Sequence, residues 1–228
     1  MKLAIHQPNF LPWAGYFHKM ASVDVFLLLD TVQYVKSEYD NRCKIKTADG
    51  VQWLTVPVTT PKINTLSRDV KISKNVDWKK LHKKTLTYNY SKSPFFEKYE
   101  SMLTDTYDEN SESLLELNIV FIYNIKNLLG IETRLLLASE LPETELKGTE
   151  LLLNYCEELN TDSYLSGSGG KRYLNEESFK EKKIGLEYQD YVSIKYPQRF
   201  GDFIENLSII DLIFNCGDES LARIMGEY

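Results

Sequence analysis

The first thirty residues contain the pattern that most restricts the fold of this chain. MKLAIHQ is a short apolar run that stops at Pro8, which is typical of a buried strand entering a loop. WAGYFHKMA then has the length of a short helix, and VDVFLLLD, residues 23–30, is a near-continuous apolar run of strand length. A strand, a loop, a helix and a second strand in this order predict a βαβ unit and therefore a parallel sheet.

The rest of the chain continues this alternation after two insertions. RCKIKTADGVQWLTVPV has two alternating runs around Ala48-Asp49-Gly50, which predicts a β-hairpin at about residues 41–58. Residues 77–129 carry apolar side chains at a spacing of three to four, which predicts a helical segment that ends at Gly130. Further apolar runs of strand and helix length follow: ETRLLLASE, GTELLLNYCEELN, TDSYLSGSGGKRYL, GLEYQDY and LSIIDLIFNCGDESLARIM. We therefore expect a single α/β domain over residues 1–228, with a mostly parallel, Rossmann-like sheet flanked by helices.

Composition excludes several classes of protein. The net charge of −6 disfavours nonspecific binding to nucleic acid, which depends on clustered cations. No apolar run reaches the roughly 18 residues of a membrane span, and the first residues lack the pattern of a signal peptide, so we expect a cytoplasmic protein. The three cysteines occur singly, without the spacing of a zinc site or a disulfide framework. Six lysines between residues 71 and 84 form a basic stretch, which is typical of a solvated helix face and is otherwise a surface for a phosphate or an acidic partner.

Three loops follow predicted strands and carry most of the polar residues of interest: HQPNFLPW, DTVQY and SGSGGK. In open parallel sheets, ligands bind in the crevice outside the carboxyl ends of the strands. We therefore expect these loops to open onto one edge and to form a pocket for a negatively charged metabolite.

The glycine-rich loop predicts a phosphate site. Glycines let backbone amides approach a ligand, and a helix expected to start near Lys171 would add the positive end of its dipole. The predicted phosphate-binding residues are Ser166, Gly167, Ser168, Gly169, Gly170 and Lys171. The spacing matches neither a Walker loop nor GxGxxG, and an ordinary turn is an equally supported interpretation.

The predicted catalytic residues are His6, His18 and Asp30. A histidine at the end of a buried strand is suited to act as a general base or to orient a phosphate, although a lone histidine is more often part of the core. His18 follows Gly15 by three residues on the same helix face, a layout that loosely resembles the HxGH turn of nucleotidylyltransferases without its paired histidines. Asp30 ends the second strand, where a carboxylate is placed to accept a proton from an amine, to bind a sugar hydroxyl, or to cap a turn.

The other polar and aromatic residues of these segments are predicted substrate contacts: Gln7, Asn9, Trp13, Gly15, Tyr16, Gln33, Asn41 and Arg42. An arginine binds a carboxylate or phosphate through two parallel hydrogen bonds, and it is otherwise an exposed charge of the hairpin. No grouping in the sequence has the spacing of a metal site.

Several blocks of the sequence resemble the WbqC-like protein family of bacterial surface-polysaccharide gene clusters. They are HQPNFLPWAGYFHKM, DVFLLLDTVQY, NRCKIKTADGVQWLTVPV, YLSGSGGKRYL and YPQRFGDFIENLSIIDLIFNCG, and together they span nearly the whole chain. The resemblance implies a role in making or decorating an O-antigen-type glycan on a nucleotide-linked sugar, with acyl or aminoacyl transfer to an amino sugar as the reaction.

Three hypotheses follow. The first is a transferase that binds a nucleotide-linked sugar or another phosphorylated small molecule and takes the group from a donor such as an acyl or aminoacyl carrier protein. The second is a nucleotidyltransferase, for which Mg²⁺ would enter with the nucleotide; no other cofactor is expected. The third is a noncatalytic module that binds a sugar or a carrier protein.

Overall fold

The computed structural model describes residues 1–36 and 38–227 of the chain. Its strands are β1 (Lys2–His6), β2 (Val25–Leu28), β3 (Arg42–Thr47), β4 (Gly50–Thr55), β5 (Arg134–Leu137), β6 (Ser163–Ser166) and β7 (Gly185–Tyr188). Its α-helices are α1 (Ala14–Ala21), α2 (Trp78–Tyr90), α3 (Phe96–Asp108), α4 (Leu114–Leu128), α5 (Gly148–Glu158), α6 (Glu176–Glu181), α7 (Ile209–Cys216) and α8 (Ser220–Met225).

The chain divides into two compact units. The sheet unit comprises Met1–Gln7, His18–Thr31 and Ile131–Val192, and the helical unit comprises Pro8–Phe17, Val32–Gly130 and Ser193–Tyr228. The expectation of one domain over the whole chain remains a prediction.

The sheet unit contains a five-stranded sheet in the order β5-β2-β1-β6-β7. All four pairings between neighbouring strands are parallel, which confirms the predicted α/β class and the parallel sheet. Every residue of β2 is buried, as its continuous apolar sequence VFLL requires in a central strand. Beside β6, the Phe179 ring of α6 stacks on the ring of Tyr164 at 5.7 Å and helps to cover the sheet.

The helical unit contains the predicted hairpin and the predicted helical segment. β3 and β4 pair antiparallel from Arg42↔Thr55 to Thr47↔Gly50, and Gly50 has the positive φ of 102° that the turn requires. α4 begins with a capping box between Ser113 and Glu116, in which each side chain bonds the backbone of the other residue.

The third histidine of the chain lies in the core of the helical unit. His82 is buried, with Nδ1 3.2 Å from the Tyr107 hydroxyl and Nε2 3.1 Å from the carbonyl oxygen of Thr55. Burial lowers its pKa to about 4. Both ring nitrogens thus have hydrogen-bond partners within the core, and His82 is a structural residue.

Within residues 1–36 and 38–227, no helix combines the length and the apolar character needed to cross a membrane.

Candidate functional site

The order of the strands places the candidate site between β1 and β6. From β1 the chain moves outward to β2 and β5, then returns to the other side of β1 to form β6 and β7. The point where the direction of winding reverses is where open α/β sheets bind ligands, outside the carboxyl ends of the two strands. His6 ends β1 and Ser166 ends β6, so two of the predicted loops flank this point.

The two central strands separate before they end. β1 pairs with β2 as far as His6↔Leu28, whereas its pairing with β6 stops at Ala4↔Leu165. On the β2 side, the backbone N–H of Asp24 donates a hydrogen bond to the carbonyl of Lys2, and that of Leu29 donates to the carbonyl of His6. Because alternate residues of a strand face opposite neighbours, the carbonyl of Ile5 faces β6, beyond the last pair.

Lys19 lies at this point and is not among the predicted site residues. Its Nζ donates a 2.9 Å hydrogen bond to the carbonyl oxygen of Ile5, and it lies 5.8 Å from the centre of the Phe26 ring. The side chain is only 3% exposed, and burial lowers its pKa to about 7. Among the described residues, no carboxylate contributes to this pKa or forms an ion pair with the ammonium.

A sequence signal for Lys19 did exist. In α1, Tyr16 and Met20 are both buried, so a lysine between them at position 19 falls on the buried stripe of the helix. A lysine on such a stripe is unusual, because burying an ammonium costs free energy unless a partner or a function retains it.

His6 is next to Lys19 and is held as a neutral imidazole. Burial is the first cause that lowers its pKa to about 3, and the charge of Lys19 is the second. Its Nδ1 lies 3.1 Å from the carbonyl oxygen of Gln7, which assigns the ring proton to Nδ1 and the lone pair to Nε2. The ring is therefore suited to accept a hydrogen bond and poorly suited to hold a proton.

His18 is connected to the end of β6 through Gln189. The side-chain Nε2 of Gln189 lies 3.0 Å from His18 Nδ1, and the backbone N–H of Gln189 donates to the carbonyl of Ser166 at 2.8 Å. The centre of the Tyr191 ring lies 5.1 Å from that of the imidazole. Burial lowers the pKa of His18, and the negative charge of Asp190 offsets part of this shift. The sheet unit thus brings His6, His18 and Ser166 to one edge.

Asp30 lies on the same edge, after β2, and is fully buried. Its Oδ1 accepts a hydrogen bond from the backbone N–H of Ser139 at 3.0 Å. Its Oδ2 has no hydrogen-bond partner in the part of the chain that the structure describes. A buried carboxylate oxygen without a donor is a candidate ligand contact.

The glycine-rich loop differs from its prediction in one respect. No α-helix starts near Lys171: Ser168–Arg172 form a 3₁₀-helix, and α6 begins only at Glu176. A Cβ on Gly170 would lie 2.1 Å from Ser166 Oγ, so this glycine serves the close approach of the turn to β6.

This difference changes the physical basis of the predicted phosphate site. A short 3₁₀-helix lacks the aligned dipoles of a long α-helix, so the helix-dipole argument for phosphate does not hold. The exposed Lys171 remains as a cation on this edge, with Nζ 5.4 Å from the Tyr188 ring.

The structure places most of the predicted substrate contacts in the helical unit, whereas Gln7 belongs to the sheet unit. The contacts in the helical unit are Asn9, Trp13, Gly15, Tyr16, Gln33, Asn41 and Arg42. Asn9 and Tyr16 are buried, Gln33 is exposed and pairs with Leu66 through an isolated bridge, and the Asn41 side chain donates to the carbonyl of Val56 at 2.8 Å. The Arg42 guanidinium lies 4.0 Å from the centre of the Trp53 ring. Their roles in binding remain predictions.

Gly15 has a packing role beneath the Trp13 ring. A Cβ at this position would lie 2.2 Å from the indole Cη2. We expect Gly15→Ala to lower the free energy of unfolding by about 1–3 kcal/mol, the usual cost of overpacking, as measured by urea denaturation. The matched control is Gly15→Ala combined with Trp13→Ala, in which the added methyl group should cost nothing further. An unchanged midpoint for the single Gly15→Ala variant would contradict this packing.

No group of three or more His, Cys, Asp or Glu side chains suited to hold a metal ion occurs within the described residues. The three cysteines are buried free thiols.

Comparison with known proteins gives one family and one relative. The model of the WbqC-like protein family matches residues 7–223. The chain is 37% identical to the uncharacterized protein Rv1507c of Mycobacterium tuberculosis over 222 residues, which cover 96% of this chain and 95% of that protein. No solved structure matches the chain significantly.

Proposed function

The chain belongs to the WbqC-like protein family, and from this premise we propose that it is a cytoplasmic transferase of surface-polysaccharide (O-antigen) biosynthesis. It moves an acyl or aminoacyl group onto the amine of a nucleotide-linked amino sugar. Both the pathway and the reaction are inferred from the family resemblance, and the polar groups at the end of β1 are suited to that reaction.

One observation carries the proposal. β1 and β6 separate after the pair Ala4↔Leu165 at the switch point of the sheet, and the polar side chains of the sheet unit lie on the edge beside it. Such a crevice is where α/β sheets hold nucleotides. A phosphorylated ligand with its diphosphate near Lys171 extends its sugar toward the end of β1.

The reaction joins two substrates directly. The sugar amine attacks the carbonyl carbon of a thioester or ester donor, a C–N bond forms, and the C–S or C–O bond breaks with its electron pair on the leaving group. The amine gives up one proton, which the leaving thiolate or alkoxide finally receives. His6 Nε2 accepts a hydrogen bond from the amine and directs its lone pair toward the carbonyl carbon.

A carrier protein is a suitable source of the acyl group. On α2, Lys80 and Lys84 are exposed, while Lys83 pairs with Asp108. Exposed cations beside the exposed Leu81 offer a surface for an acidic carrier.

Thermal denaturation with candidate ligands tests the proposal. We expect uridine- or thymidine-diphosphate amino sugars at 100 times their dissociation constant to stabilise the protein by about 2.7 kcal/mol. This corresponds to a rise in Tm of about 5–10 °C for a protein of this size. We expect Lys171→Ala to reduce the rise, whereas Lys84→Ala on α2 should not. No rise with any nucleotide sugar would contradict the proposal.

The products distinguish catalysis from binding. Incubation with the bound amino sugar and an acyl thioester should yield the amide, detected by mass spectrometry, with less product from His6→Ala and His18→Ala. Full activity of both variants in the reconstituted pathway would favour the noncatalytic module instead.

Nucleotidyl transfer is a second candidate, and Asp30 favours it. Its buried Oδ2 has no partner among the described residues, and a single carboxylate together with substrate phosphates is a common way to hold Mg²⁺. Stabilisation by ATP only when Mg²⁺ is present, lost in Asp30→Asn, would favour this candidate over acyl transfer.

A further inference from the structure

Lys19 is a buried amine at the switch point of the sheet, and the transfer reaction proposed above gives it no role. We propose that Lys19 is the general base that removes the proton from the attacking amine of the sugar. This inference rests on the proposed function and names a catalytic residue for it.

The position of the amine supports the assignment. Its Nζ donates to the carbonyl of Ile5 at 2.9 Å, on the side of β1 where pairing with β6 has stopped. The centre of the Phe26 ring lies 5.8 Å from Nζ. The amine is therefore fixed at the crevice by one hydrogen bond, with two of its three N–H positions not used by that bond.

The chemistry favours Lys19 over His6 as the base. Attack requires the neutral amine, because an ammonium has no lone pair, and the attacking nitrogen must then give up one proton as the amide forms. A base works best when its pKa is near the operating pH, and burial brings the pKa of Lys19 to about 7. His6, with a pKa of about 3, accepts a hydrogen bond but does not retain the proton.

Among the described residues, no opposite charge beside Lys19 favours its protonated form. On β1 the titratable group that faces it is His6, which is uncharged at neutral pH, and β2 contributes the apolar Phe26. His18, next in α1, interacts with Gln189 and Asp190 instead.

The proton transfer is balanced without a further reactant. As the C–N bond forms, the amine proton moves to the unprotonated Nζ of Lys19 and gives an ammonium. The ammonium then returns this proton to the leaving thiolate or alkoxide, and Lys19 is again neutral.

Two measurements test the inference. The first measurement follows the ¹⁵Nζ chemical shifts of lysine-labelled protein as a function of pH. The signal of Lys19 is identified as the one that is missing from the Lys19→Arg variant. We expect a midpoint near 7, whereas the denatured protein should titrate at about 10.4. An ammonium at position 19 that remains charged up to pH 9 would contradict the inference.

The second measurement is the pH dependence of acyl transfer to a uridine- or thymidine-diphosphate amino sugar. Wild-type kcat/KM should rise with pH and level off above about 7. Lys19→Met and Lys19→Arg should lose about 10²- to 10⁴-fold in kcat at pH 7, with KM little changed.

Lys92→Met is the matched control, because Lys92 is exposed and has no role in binding the sugar or the carrier protein, and we expect its activity to equal that of the wild type. A Lys19→Met variant with the wild-type rate and pH profile would overturn this inference and leave the proposed function in place. Absence of transfer by the wild type with every donor would contradict the proposed function itself.

Discussion

Replacing Lys19 with methionine is expected to raise the free energy of unfolding at pH 7 by about 2 kcal/mol, even as it removes activity. The folded state lowers the pKa of Lys19 from an ordinary value of about 10.4 in the unfolded chain to about 7. Between these values the unfolded chain binds a proton that the folded protein does not. The wild type therefore loses stability as pH falls from about 10 to about 7.

The expected size follows from the same shift. One pKa unit corresponds to about 1.4 kcal/mol, so the wild type loses about 4–5 kcal/mol over this range. The methionine variant escapes this loss but leaves the carbonyl of Ile5 without its donor, at a cost of about 1–3 kcal/mol. The net gain at pH 7 should become a net loss near pH 10.

Urea denaturation of both proteins at pH 7 and at pH 10 makes this measurement, with Lys84→Met as the exposed control. A methionine variant that is less stable than the wild type at both pH values would contradict the description of Lys19 as a buried amine without an ion-pair partner among the described residues. A substitution that stabilises the fold and removes the reaction is the expected signature of a residue retained for function.

Tyr90→Phe is expected to lower the free energy of unfolding by about 3 kcal/mol. The fully buried Tyr90 hydroxyl donates to Asp211 at 2.8 Å and accepts from the backbone N–H of Lys46 at 3.0 Å. Without it, a buried carboxylate loses a donor and a buried N–H loses its acceptor. Tyr196 still donates to Asp211 at 2.9 Å, so the carboxylate keeps one hydrogen-bond donor.

Tyr88→Phe in the same helix is the matched control for this loss, since Tyr88 is 80% exposed and should tolerate the change. The Tyr90 hydrogen bond favours the charged form of Asp211, whose pKa burial raises. Part of the loss should therefore disappear as pH falls and Asp211 becomes protonated. Equal midpoints for Tyr90→Phe and the wild type at pH 7 would exclude a structural role for this network.

Much of the fold could be predicted because local sequence encodes it. The apolar runs of β1 and β2 fixed the parallel opening, and Ala48-Asp49-Gly50 fixed the hairpin turn. The adjacency of β1 and β6 could not be predicted, because about 160 residues separate them and nothing in either strand selects its neighbour.

The candidate site was predictable only in outline. Strand ends directed attention to His6 and Asp30, because position in a parallel sheet determines which loops share an edge, and the roles of both residues remain predictions. Lys19 was missed because a single lysine in a helix is normally solvated, and only its neighbours on the buried stripe indicated otherwise. The turn after Ser166 was misjudged because glycine spacing does not distinguish a 3₁₀-helix from the start of an α-helix.

A crystal structure with the nucleotide-linked amino sugar that gives the largest thermal shift would show whether the ligand binds at the carboxyl ends of β1 and β6. We predict the diphosphate beside the Ser166–Lys171 loop and the sugar amine within hydrogen-bond distance of His6 Nε2 and Lys19 Nζ. Electron density for the ligand in the helical unit instead, for example against Trp53 and Arg42, would contradict the claim.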